Sequence, residues 1–67
     1  MISLEGLRRL VNMGEKDRPK NFKILVLRYL KHKNDLIRRW QNERDITYLE
    51  LQFVEALKLA KRLGIRW

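Results

Sequence analysis

The stretch that decides the fold is PKNFKILVLRYLKHKNDLIRRWQ, Pro19 to Gln41. At about 100° per residue its side chains separate into two faces. Phe22, Leu25, Val26, Tyr29, Leu30, Leu36, Ile37 and Trp40 gather on one side. Lys20, Lys23, Lys31 and Arg38 fall on the other, flanked by Arg28 and Arg39. Only Lys33 interrupts the apolar stripe. One helix over residues 19–41 would run about 33 Å. Asn34-Asp35 could instead end one helix and cap another. The apolar spacing keeps its phase through that pair, which favours continuity.

The flanking segments also read as helices. Residues 3–12 carry Leu4, Leu7, Leu10 and Val11 at helical spacing, with Arg8 and Arg9 outward. Ser3 suits the N-cap and Glu5 the positive end of the helix dipole. Asn12 to Gly14 can end this helix, with Gly14 able to take a positive φ. The link at residues 14–18 nominates Asp17 as the next N-cap, with Pro19 in the first turn. After a second link at 42–46, Thr47-x-x-Glu50 has the form of a capping box, and Ile46 with Leu51 that of a hydrophobic staple. This third helix, about 48–63, buries Leu49, Phe53, Ala56, Leu57, Leu59, Ala60 and Leu63, with Tyr48 beside them. Gly64 follows as a C′ residue, with Ile65 placed to fold back on Leu59 or Ala60.

The expected fold is therefore all-α: a small three-helix bundle, or four helices if the central one breaks at 33–35. A helical hairpin with a short N-terminal helix describes it equally well. Sixty-seven residues make one domain with a modest core. Small folds often add disulfides, a metal or a partner. With no Cys and one His, self-association as a homodimer or higher oligomer is the expected route. Ile24 and Leu27 on the basic side of the central helix, and Leu51 and Val54 on the charged side of the third, are the candidate interface.

The chemistry of catalysis is missing. His32 stands between Lys31 and Lys33 with no carboxylate to orient it as a base. Ser3 and Thr47 are better used as caps, and Gly6, Gly14 and Gly64 build no phosphate-cradling loop. No metal site and no cofactor is expected. No apolar run is long enough to span a membrane, and Arg8 and Arg9 break any signal-peptide core, so a cytoplasmic location is expected. A viral or plasmid origin would fit as well.

What remains is charge. Sixteen Lys and Arg against eight Asp and Glu give a net +8. Such a balance favours polyanions. The blander reading is solubility or thermal adaptation, since 36% of residues are charged. The candidate nucleic-acid-binding residues are Lys20, Lys23, Arg28, Lys31, Arg38, Arg39, Lys61 and Arg62, with DNA ahead of RNA and a regulatory role in view. Trp40, on the stripe, is expected in the core; Trp67, beside Arg66, suits either packing or base stacking. The alternative is an interaction module that oligomerises or inhibits a larger protein. Attachment to an anionic membrane ranks behind both.

Phe22-Lys-Ile-Leu-Val-Leu-Arg-Tyr-Leu-Lys resembles the first helix of many helix-turn-helix and winged-helix domains. Ile46-Thr-Tyr-Leu-Glu-Leu and Leu59-Ala-Lys-Arg-Leu-Gly-Ile are similar to phrases around their helix-turn-helix unit. That likeness implies a DNA-binding helical domain. The chain departs from the pattern in having no tight Gly-containing turn within 48–63 and no hairpin to form a wing.

Overall fold

A computed structural model describes residues 1–67 as three α-helices with no strand. Helix α1 spans Leu4–Asn12, α2 spans Phe22–Trp40 and α3 spans Thr47–Arg62, with a 3-10 turn at Glu15–Asp17.

Helix α1 begins as its sequence implies: the Ser3 hydroxyl accepts from the Gly6 N–H at 3.0 Å. Its end is held differently. Gly14 has φ −66° rather than a positive value. Instead Arg18 reaches back over the open carbonyls. Its Nε donates to the Leu10 oxygen at 2.7 Å, and its Nη2 to those of Met13 at 3.1 Å and Val11 at 3.4 Å. Those carbonyls have no partner within a helix, so a side-chain donor replaces the glycine device. Asp17 does not cap α2 either. It lies in the 3-10 turn, and Pro19 starts a further turn in which its carbonyl accepts from Phe22 N–H at 3.1 Å. Helix α2 thus begins three residues after Pro19, with Asn21 at its N-cap and no side-chain bond there.

Helix α2 runs through Asn34 and Asp35 without interruption. Its apolar phase is unbroken there, so one continuous face meets α3. Lys33, the polar intruder, lies on that face for a reason: its Nζ donates to Gln52 Oε1 of α3 at 2.9 Å.

The entry to α3 corrects two expectations. Asp45 Oδ1 accepts from both the Thr47 N–H at 3.0 Å and the Thr47 hydroxyl at 2.7 Å. A carboxylate outcompetes a hydroxyl as acceptor, so Thr47 donates and its capping box with Glu50 does not form. Ile46 is buried but Leu51 is 66% exposed, so they make no staple. The exit is a Schellman motif. Gly64 takes φ +78°. The Ile65 N–H reaches the Ala60 oxygen at 2.9 Å and the Gly64 N–H that of Lys61 at 3.0 Å. Ile65 is buried, as that motif demands.

Helices α2 and α3 form an antiparallel hairpin joined by residues 41–46, and α3 also packs against α1. The core is Leu7 and Leu10 of α1, Val26, Tyr29 and Leu30 of α2, Ala56, Ala60 and Leu63 around α3, and Ile65. Ala56 and Ala60 lie four apart on one stripe, so small side chains let the neighbouring helices approach closely. Helix α1 is about 13 Å long and α2 about 28 Å. Helix α1 therefore covers only one end of the hairpin, and the molecule is elongated at 43 × 18 × 16 Å. Towards the closed end the buried side chains are Ile46 and Leu49, and Leu36, Ile37 and Trp40 are half-buried.

Candidate nucleic-acid interface

The outer side of α2 follows from its inner one. Burying Val26, Tyr29 and Leu30 turns Arg28, Lys31, Arg38 and Arg39 outward, within an arc of about 100°. All four are exposed. From Arg28 to Arg39 they make a strip about 16 Å long on one rigid helix. Ile24 and Leu27, 53% and 38% exposed, share this side.

Asp35 also lies in the strip, a residue that charge counting along the chain passes over. It stands four positions from both Lys31 and Arg39, which is neighbour spacing on a helix. No Lys or Arg nitrogen lies within ion-pair distance of it. Helical spacing alone would have revealed it.

The other nominated cations are dispersed. Lys20 precedes α2, and Lys23 lies in its first turn on the flank of the strip. Lys61 and Arg62 occupy the last turn of α3. Because the hairpin is antiparallel, these four sit at its open end, and Arg38 and Arg39 at its closed end. Leu51 and Val54, 66% and 47% exposed, lie on the outer side of α3 and face away from Ile24 and Leu27. The four candidate interface residues therefore form two separate patches, on opposite sides of the hairpin.

What distinguishes the cations is the lack of carboxylate partners. Of sixteen Lys and Arg, Arg8 alone contacts a carboxylate. It joins Glu55 by two bonds of 2.6 and 3.0 Å and Glu5 at 3.2 Å, tying α1 to α3. The Arg8 hydrogen bonds hold the Glu55 carboxyl below its ordinary value and raise the guanidinium above its own. Tyr29, beneath this pair, is pushed up by burial first and by the Glu55 charge second. The Thr47 hydroxyl and N–H lower Asp45.

Three cations rest on aromatic rings. Arg18 lies 5.8 Å from the Phe22 centroid, Lys33 5.6 Å from that of Tyr29, and Arg44 4.7 Å from that of Trp40. Trp40 is thus half-buried, one part of it under Arg44. Trp67 meets Phe53 edge-on at 5.9 Å and stays 55% exposed.

His32 is exposed. The surface has no pocket and no grouping of three metal-ligating side chains. No helix is long and apolar enough to cross a membrane. Helix α3 is undivided from Thr47 to Arg62, so no helix-turn-helix lies within that helix, and the chain has no strand to form a wing. No known protein family, curated protein or solved structure matches the chain.

Proposed function

We propose that this chain is a small nucleic-acid-binding protein that lays the outer side of α2 against a phosphate backbone, DNA in preference to RNA. Arg28, Lys31, Arg38 and Arg39 make the primary contacts. Lys20 and Lys23 extend them toward the open end, and Lys61 and Arg62 take a second strand or a second molecule. The observation that supports this reading is the strip of exposed cations with no carboxylate partner, on a helix whose opposite face is fixed in the core. Such charge lowers its free energy by releasing condensed counterions from a polyanion.

Electrophoretic mobility shift across a salt series tests it. Four phosphate contacts give a slope of log affinity on log salt of about −3.6. Affinity then falls by about two orders of magnitude between 50 and 200 mM salt. Salt-insensitive binding, or none at low salt, overturns the proposal.

A second reading has its own observation. Leu51 and Val54 are large apolar side chains left outside a chain too short to waste them. A second copy, or a larger protein, covering that side would complete the bundle. The two readings are compatible, since a dimer presents two α2 strips to one duplex.

A further inference from the structure

We infer that the closed end of the hairpin carries a preformed clamp for one nucleic-acid phosphodiester, built from the Arg44 guanidinium seated on Trp40. The inference rests on the nucleic-acid reading and places one contact within it.

The comparison of the three stacked cations carries it. Arg18 stacks on Phe22, but its donors are taken by the Leu10, Val11 and Met13 carbonyls. Lys33 stacks on Tyr29, but its ammonium donates to Gln52. Those two are structural ties. Arg44 has the closest ring, at 4.7 Å, and its guanidinium has no acceptor anywhere in the protein. The adjacent carboxylates do not claim it. Asp45 is engaged by Thr47, and Glu43 contacts no cation.

Arg44 is also held at both ends. Its backbone N–H donates to the Trp40 carbonyl at 3.1 Å, while its guanidinium covers the Trp40 ring. Its guanidinium carbon lies over the indole, and the residue is exposed. A guanidinium fork matches two oxygens of a phosphate, and its rest on the ring reduces the side-chain entropy lost when they bind. Arg38 and Arg39 stand in the last turn of the helix that carries Trp40, so the clamp shares the closed end of the hairpin with them. It fixes where a phosphate backbone crosses the hairpin.

The test uses the full chain, a short DNA duplex and the variants Arg44→Lys, Arg44→Ala and Arg9→Ala. Arg9 is exposed on α1 and serves as the control. Arg44→Lys keeps the charge and loses the fork. It binds about fivefold more weakly, with the salt slope unchanged. Arg44→Ala also reduces the slope by about 0.9. In a nitrogen-15 spectrum the Arg44 Nε–H moves saturably as duplex is added. If Arg44→Lys binds as tightly as the parent, or Arg44 stays still while Arg28 moves, the clamp is refuted and the nucleic-acid reading stands. If the parent binds no duplex, that reading falls, and dimethyl phosphate decides the clamp alone. A saturable Arg44 response exceeding that of Arg9 supports it, and an equal response refutes it. Binding to phosphatidylglycerol vesicles but not to duplex assigns the phosphodiester to lipid and overturns the nucleic-acid assignment.

Discussion

Two glycine-to-alanine substitutions should move stability in opposite directions. Gly64 holds φ +78°, and a Cβ added there would meet no atom within 4 Å. The cost of Gly64→Ala is therefore purely one of backbone conformation. A left-handed alanine costs about 1–2 kcal/mol. Restricting the unfolded chain returns about 0.4–1 kcal/mol of that. The expected outcome is a net loss of about 1 kcal/mol. Gly14 is the opposite case. It sits at φ −66° and ψ 152°, where any residue is at ease. Its added Cβ would lie 3.7 Å from Asp17 Oδ2, an ordinary contact. Gly14→Ala keeps the entropic gain and stabilises by about 0.4–1 kcal/mol. Urea unfolding followed by circular dichroism separates the two. With a slope of about 1 kcal/mol per molar urea, the midpoints differ by about 1.5–2 M, with the slope itself unchanged. Midpoints that shift in the same direction, or a neutral Gly64→Ala, would refute the assignment of the Schellman turn.

Further outcomes follow from the core, the ion pair and the outer side of α3. Leu7 is fully enclosed, so Leu7→Ala should cost about 2.7–5 kcal/mol, enough to leave much of so small a protein unfolded in a urea titration. Glu55 titrates in the folded state below its ordinary 4.5 because Arg8 binds its charged form. Its contribution is complete above that value and is lost as pH falls through the folded one, so Glu55→Gln should flatten the acid limb of a stability–pH profile. If Leu51 and Val54 are covered by a second copy, the double serine variant should sediment as a folded monomer while the parent does not. An unchanged mass in both would place any interface elsewhere.

The stretch from Phe22 to Trp40 is legible because burial there obeys one period over nineteen residues. The end of α3 is legible because only glycine tolerates the backbone that the turn requires. The starts of α2 and α3 depart from expectation for a shared reason. Thr47 and Asp17 are both acceptable caps by type, and what decides each is a competitor two places away. Asp45 supplied a stronger acceptor, and Pro19 began a turn of its own. The role of Arg18, in the link at 14–18, is hidden in the sequence because its targets, the Leu10, Val11 and Met13 carbonyls, are backbone atoms that no side-chain pattern reveals. Of the nominated site, helical phase placed Arg28, Lys31, Arg38 and Arg39 together. It could not place Lys61 and Arg62 relative to them, because that depends on how two helices pack.

The distribution of carboxylates bears on whether so much positive charge serves the fold. Were it an adaptation for stability, the eight acidic residues would pair across helices into networks. One such network exists, Glu5–Arg8–Glu55, and it consumes a single cation. Arg18 works on carbonyls and Lys33 on an amide. Asp35 stands four residues from Lys31 and from Arg39 and still contacts neither. Arg28 and Lys31, three apart, are the one like-charge pair of the strip at neighbour spacing, and such a pair works against an isolated helix by tenths of a kcal/mol. A small fold with a modest core carries that cost with no internal return. The nucleic-acid reading proposed above would supply that return from outside, through an anion meeting the strip and the closed end of the hairpin.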